Sequence, residues 1–337
     1  MDDGNKKPSA AMMQLINAYR VSEAIHVAAT LGLADLLKDG ARSSDDLAEA
    51  TGTHPRSLYR LLRALASVGV FHEDDGRRFS LTPLGDCLRS DAAEPLRSWA
   101  VHIGRPEFRA AWDHLLHSVR TGENAWRHLH GTSAWEYRAR HPEAGAIFDR
   151  AMTELSRGAA RAVVDAYDFA RFACVVDVAG GHGALLAAIL TRYPSMRGVL
   201  FDQPHVVAGA GDVLRAAGVA DRCDVVGGDF FEDVPSGGDG YVLKSILHDW
   251  EDNEAIAILQ ACRRAVRAGG ALLVIEREIG PPNDGPVSKF SDLNMMVAAG
   301  GRERTREEWA DLFVAGGFRL VAVTAAGTWS IIEGVPA

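Results

Sequence analysis

The sequence predicts an α/β fold: a mostly parallel sheet with helices on both faces, preceded by a smaller, mostly helical module of winged-helix pattern. Three observations predict it. From Ala173 onward, short apolar runs alternate with helical patterns, the signature of βαβ units. Between Ser43 and Leu81, two helical segments are followed by a small hairpin, as in a winged helix-turn-helix. The chain has 337 residues, too many for one ordinary core, so at least two domains are expected. The boundaries fall at 1–95 for the N-terminal module, 96–168 for a helical connector lining a pocket, and 169–337 for the sheet domain.

Composition narrows the function classes. Hydrophobic residues at 47% and charged residues at 24% are ordinary for a soluble globular protein. A formal charge of -9 argues against a chain whose business is holding nucleic acid phosphates. No apolar run approaches a membrane span, and Met1-Asp2-Asp3-Gly4 lacks the order of a signal peptide. Cys87, Cys174, Cys223 and Cys262 form no Cys-x-x-Cys pair, which fits a reducing cytoplasm and suggests neither a zinc site nor a disulfide framework.

Residues 1–10 are polar and expected to be loose. Ala11 to about Lys38 reads as helix, interrupted at Gly32. Its apolar surface, with Met12, Leu15, Ile16 and Tyr19, is wider than one small domain needs and points to a partner chain. Ser43-Ser44 caps a helix from Asp45 to Thr51, and Pro55 opens a second that ends at Gly69. Val70-Phe71-His72, the turn at Asp74-Asp75-Gly76 and Phe79-Ser80-Leu81 complete the wing. Arg56, Arg60 and Arg63 are basic, but the acids around them offset the patch, so a structural use of the module is favoured over DNA binding.

Residues 92–168 read as helices rich in Trp, His and Phe, enough to line an apolar pocket. His114 and His117 are three apart on a helix, but no carboxylate or further His at a helical step joins them. Strands are then expected at Cys174–Val178, Gly198–Phe201, Cys223–Val226, Tyr241–Leu243 and Ala271–Ile275. The helices between them run from Ala184 to Tyr193, Val206 to Ala217 and Glu254 to Ala268. Thr305 with Glu308 makes a capping box for a helix to Ala315, and Phe318–Thr324 with Thr328–Glu333 reads as a closing antiparallel pair.

The chemistry gathers at the strand ends, where open α/β sheets bind ligands. Asp177-Val178-Ala179-Gly180-Gly181-His182-Gly183 is a glycine-rich turn, but Leu186 stands where a dinucleotide fingerprint needs glycine. Asp202, in Phe201-Asp202-Gln203-Pro204, is placed to accept from both hydroxyls of a ribose. Asp229-Phe230-Phe231 offers an acid for an exocyclic amine and a ring to pack on a base. Together these describe an adenosine site without a phosphate loop. Lys244-Ser245-Ile246-Leu247-His248-Asp249-Trp250 follows the fourth strand, and a His between Lys and Asp at such an edge is a candidate general base.

These motifs, with Gly-Gly-Arg-Glu-Arg-Thr at Gly300 to Thr305, resemble the class I S-adenosylmethionine-dependent small-molecule O-methyltransferases of plant phenylpropanoid and bacterial polyketide pathways. The resemblance covers nearly the whole chain. It implies a Rossmann-like catalytic domain and an N-terminal module that forms a homodimer. It implies that Ala179, Gly180, Gly181 and Gly183 meet the methionyl part of S-adenosylmethionine. Asp202 and Gln203 then stand at the ribose, Asp229 and Phe230 at the adenine, and Lys244 completes the cofactor site. His248 is implied as general base, oriented by Glu276 and Glu303, while Phe148, Met152 and Asp249 match substrate-pocket positions. No metal is implied. Two departures stand out: Ala179 replaces a usual glycine, and Ala298 falls where plant members carry a polar substrate contact. The expected reaction is methylation of a phenol, since a phenol titrates near 10 and a positioned His can take its proton. The same fold also allows a derived hydroxylase or decarboxylase, or an N-methyltransferase, and more remotely a ligand-sensing regulator.

Overall fold

The structure is a computed structural model that describes residues 7–337. The expectation for residues 1–6 lies outside the described residues. The chain divides into two compact units, one ending at Arg109 and one running from Ala110 to Ala337.

In the first unit, Pro8 opens a helix of 23 residues to Thr30, and Gly32, at φ 66°, separates it from a short turn of helix at Leu33–Leu36. A proline at the first helical position has its φ already set and lacks only a donor that would be unpaired. Ser43 caps the Ser44–Thr51 helix in a reciprocal capping box with Asp46. Pro55–Ser67 follows, burying Leu58, Leu62 and Leu65, spaced three and four apart as one helical face requires. The wing adds β2 (Phe71–Glu73) and β3 (Arg78–Leu81), and β1 (Arg42–Ser43), which the sequence did not suggest, pairs with the far side of β3. Along Pro8–Thr30, by contrast, only Ala28 and Ala29 are buried, while Leu15 is 72% and Ile16 60% exposed.

In the second unit, among the described residues, seven strands form one sheet in the order β6-β5-β4-β7-β8-β10-β9. They are β4 (Cys174–Val178), β5 (Arg197–Asp202), β6 (Cys223–Gly227), β7 (Gly240–Lys244), β8 (Ala271–Glu276), β9 (Phe318–Ala326) and β10 (Trp329–Pro336). β4 to β8 are parallel, and β10 runs antiparallel to both β8 and β9. All six residues of β8 are buried, as a central strand covered on both faces demands, whereas edge strand β6 exposes Val225 and Val226. The expected helix from Val206 to Ala217 is instead two pieces, Pro204–Val207 and Gly211–Ala216. Gly209 lies at the break, where a Cβ would come within 2.6 Å of the His182 ring.

The strand order reverses between β4 and β7, which are neighbours although β5 and β6 intervene in sequence. Such a switch point opens a crevice at the C-terminal ends of the strands. The glycine-rich turn leaves β4 there, and the Lys244–Trp250 stretch leaves β7. Among the described residues no helix is long and apolar enough to cross a membrane.

Candidate active site

The loop after β7 is shaped by a carboxylate. Ser245 turns the chain at φ 57°, and Leu247–Asp249 forms a short 3-10 turn. Glu276, at the end of β8, turns one oxygen into that bend. Its Oε1 accepts the backbone N–H groups of Ile246 and Leu247 at 2.9 Å each, and of His248 at 3.4 Å. Convergent amides make a small anion cradle, so the acid and the turn fix each other.

His248 is buried by this turn, 6% exposed. Its Nδ1 lies 3.1 Å from Glu303 Oε1 and 3.1 Å from Glu276 Oε2, and its Nε2 is 3.6 Å from Asp249 Oδ1. Ser291 donates its hydroxyl to the same Glu303 oxygen at 2.6 Å. Burial alone would lower the imidazole's affinity for a proton. The charges of Glu276, Asp249 and Glu303 overcome it and raise His248 to about 10. Burial likewise raises Glu276 to about 7 and Asp249 to about 6. The groups titrate as a unit, a proton held on Nδ1 between acids. The donors are also near enough to one another to hold a cation. A proton on Nδ1, with Ser291 and the loop amides, already engages the oxygens that face the ring.

The second cluster is at the end of β4. Ala179, Gly181 and Gly183 have φ of 56°, 61° and 79°. A side chain at Gly180 would strike the Asp177 carboxylate at 2.6 Å. Asp202 accepts the Gly181 N–H at 2.8 Å through one oxygen and the Gln203 N–H at 2.7 Å through the other, tying the ends of β4 and β5 together. Asp177, the first residue of that glycine-rich stretch, has no role of its own in the sequence reading. It is 2% exposed, its Oδ2 has no partner, and burial raises it to about 7. Lys244, which burial lowers to about 8, feels both Asp177 and Glu276 and so links the two clusters. Its ammonium lies 4.9 Å over the Trp329 ring and donates to Ser245 Oγ at 3.1 Å.

A third group is aromatic. Asp229 is exposed and accepts the Phe231 N–H at 2.9 Å, which presents Phe230 edge-on to Trp250 at 5.9 Å. Trp250 stacks on Trp135 at 6.2 Å, and Trp135 meets Phe148 edge-on at 5.8 Å. Arg138 lies 3.6 Å over the Phe148 ring. Met152 is half-buried one helical turn beyond Phe148. The structure thus brings His248, Glu276, Glu303, Asp249 and Lys244 into one cluster, with Phe230 and Phe148 joined through an aromatic chain. Gln203 is exposed and takes part through its backbone.

Comparison with known proteins places the whole chain. The family model described as the O-methyltransferase domain matches residues 112–319, and that of the O-methyltransferase dimerisation domain matches residues 13–91. The phenazine O-methyltransferase of Lysobacter antibioticus is 46% identical over 97% of this chain and 96% of its own. The 8-amino-8-demethylriboflavin N,N-dimethyltransferase of Streptomyces davaonensis is 39% identical over 93% of this chain and 91% of its own. Among solved structures, LaPhzM superposes with a TM-score of 0.95 at 44% identity, covering 98% of this chain and 100% of its own. An O-methyltransferase from neocarzinostatin biosynthesis, in complex with S-adenosylmethionine and 2-hydroxy-5-methyl naphthoic acid, superposes with a TM-score of 0.78 at 36% identity, covering 94% and 96%.

Two residues that sequence reasoning passed over hold the loop from behind. A Cβ on Gly301 would stand 2.2 Å from the Trp250 nitrogen and 2.3 Å from the His248 carbonyl oxygen, so only glycine fits. Arg304 is fully buried and donates to the Leu247 and Trp250 carbonyls at 3.0 Å each, and to Asp252 at 2.8 Å. The signal was present as a second arginine in Gly-Gly-Arg-Glu-Arg-Thr, but nothing local distinguishes a buried arginine from the half-buried one two residues before it. Arg304→Met should orphan both carbonyls and destabilise the protein by roughly 2–4 kcal/mol. Thermal and urea unfolding would measure it, and a loss under about 0.5 kcal/mol would remove Arg304 from the loop's support.

Proposed function

Because this chain belongs to the O-methyltransferase family, matching both its methyltransferase and its dimerisation domains, we propose that it carries the methyl group of S-adenosylmethionine to a phenolic hydroxyl of an aromatic natural product, with His248 as proton acceptor. The observation that carries this reading is the buried imidazole whose Nδ1 is engaged by two carboxylates, leaving Nε2 for the acceptor. Relatives that act on phenazine, riboflavin-type and naphthoate acceptors support an aromatic one, and Trp135, Phe148 and Trp250 supply flat apolar surface for it.

The residues fit the cofactor. Asp202 keeps lone pairs beyond the two that the backbone uses, and Gly181 has open space where a side chain would stand. The unpartnered Asp177 oxygen beside Gly180 is a further acceptor aimed at the same turn. S-adenosylmethionine supplies a methyl group on a sulfonium, open to direct displacement. The chain's own work is therefore alignment, exclusion of water and removal of one proton. The reading needs no metal.

Protonation sets the pH dependence. His248, raised to about 10, and a phenol titrating near 10 hold a proton about equally well. The productive pair, imidazolium beside phenolate, carries one proton fewer than the pair that prevails at pH 7. Base form appears as pH rises toward the raised value, so kcat/KM should climb from pH 7 toward 10 and fall below neutrality. His248→Ala should lower turnover by roughly 10²–10⁴ on an ordinary phenol, and by less on one acidified by a neighbouring carbonyl. Equal loss on both acceptors at every pH would make His248 a positioning residue. N-methylation is the second reading, favoured by the N,N-dimethyltransferase relative. A neutral amine attacks through its lone pair, so there the same variant should cost little.

Two further outcomes follow from the cofactor and dimer assignments. Asp202→Asn should weaken S-adenosylmethionine binding about tenfold through loss of a charge-assisted acceptor. Calorimetric titration checks this, and unchanged affinity would move the ribose elsewhere. We also assign the exposed row Met12, Leu15, Ile16 and Tyr19 to a homodimer interface. Sedimentation should show a dimer that Leu15→Asp with Ile16→Asp converts to monomer. A dimer indifferent to both charges would place the interface on another face.

A further inference from the structure

Apart from this site, one cluster of ligating side chains among the described residues has no role in the chemistry above. The sequence places His114 and His117 together and offers them no third ligand at a helical step. The fold supplies one by a turn instead. The Leu115–Thr121 helix ends at Gly122, which adopts φ 75°, and Asn124 already caps the next helix, Ala125–His130. Glu123 is the single residue between. So tight a reversal folds His128 back onto His117, and their rings stack at 3.6 Å with 17° between planes. Glu123 Oε2 then lies 2.8 Å from His117 Nε2 and 3.6 Å from His128 Nδ1. All three donor atoms fall within 4.8 Å of one another.

We propose that His117, Glu123 and His128 form a binding site for a divalent transition cation of the zinc type, with water completing the tetrahedron. The donor set is two imidazoles and a carboxylate, which suits that ion, and tetrahedral bonds near 2.0–2.1 Å place donors roughly 3.3 Å apart. Two of the separations, 2.8 and 3.6 Å, bracket that spacing, and turning the two rings out of their stack would aim both lone pairs at one ion. Their side chains are 24%, 49% and 42% exposed, which gives an ion a path in. His114 stands beside the group, its ring 5.9 Å from that of His128 and its Nδ1 on the Ala110 carbonyl at 2.9 Å, so its other nitrogen is a free lone pair. The ion would staple the two helices. Asn124 donates to the Met296 carbonyl at 2.8 Å, so the stapled turn also braces the segment that leads into Gly301 and Glu303.

The test is Zn²⁺ titrated calorimetrically into the metal-stripped full-length protein, with thermal unfolding of the same samples. One Zn²⁺ per chain is expected. Affinity should fall tenfold or more in each of His117→Ala, Glu123→Gln and His128→Ala, and the Zn²⁺-dependent rise in Tm should vanish with it. These residues are partly exposed, so the variants should fold. His248→Ala, which disrupts the other His–carboxylate group, should bind Zn²⁺ as the parent does. Binding undiminished in the three variants, binding lost in His248→Ala, or no stoichiometric binding to the parent overturns the proposal.

Discussion

The structure depends on one costly arrangement: an imidazole buried among three carboxylates. Removing such charges from water costs several kcal/mol for each ion unless hydrogen bonds and opposite charge replace the lost hydration. Around His248 that replacement is nearly complete. Three loop amides face Glu276, and a serine hydroxyl and the imidazole Nδ1 face Glu303. The remaining oxygens, Oε2 of Glu276 and of Glu303, carry no hydrogen bond, while the charges of Glu276 and Asp249, with the charge and hydrogen bond of Glu303, raise the imidazole. The hydrogen bonds hold the loop, and the unbalanced negative charge strengthens the base at a cost in stability. A better-satisfied cluster would hold the loop as well and hold the proton less tightly.

The cluster could not survive on a mobile loop, and the chain supplies a mould for it. The Gly301–Arg304 segment runs along the back of the His248–Trp250 turn. Gly301 allows backbone to touch backbone, Glu303 reaches the ring, and Arg304 gathers the turn's carbonyls. Arg302 joins the same brace from outside through Asp252 and Glu308. Support comes in the reverse direction too, because Asp252 begins the helix that buries Ile258 and Leu259 under the sheet. A rigid scaffold holding the reacting groups in place is what methyl displacement between aligned atoms requires.

Much of this was legible in the sequence because strand ends are where periodic apolar runs stop and polar residues begin. His248, Glu276 and Asp202 stand at or just past such stops, and the structure places Glu276 and Asp202 at the ends of β8 and β5 and His248 in the turn that follows β7. What was not legible depends on contacts distant in sequence. Arg304 meets Leu247 across 57 residues, and no local pattern announces it. His117 and His128 fail a search at helical spacing because a turn, not a helix, unites them. Asp177 was visible as a charge inside the run Cys-Val-Val-Asp-Val, but reading it as strand hid that an acid so buried needs a reason. The split of the helix at Gly209 has no local pattern either, and a side chain there would meet the His182 ring.

Strain marks the same place by an independent route. Among the described residues four non-glycine residues have positive φ, and two of them, Ala179 at 56° and Ser245 at 57°, sit one residue past β4 and β7. An alanine in that conformation costs about 1–2 kcal/mol and has no side-chain hydrogen bond to offset it. It persists because its surroundings leave no alternative. Gly180 donates to the Phe201 carbonyl at 3.2 Å, and Gly181 is held by Asp202. Ser245 is held likewise, through its N–H to the Ile275 carbonyl at 3.0 Å. β4 and β7 are adjacent, with Asp177 opposite Val242, so the two strained residues turn their chains away side by side. Strain accumulates where the surrounding structure over-determines a functional geometry. Here the two strained residues part the glycine-rich turn from the His248 turn at the switch point of the sheet.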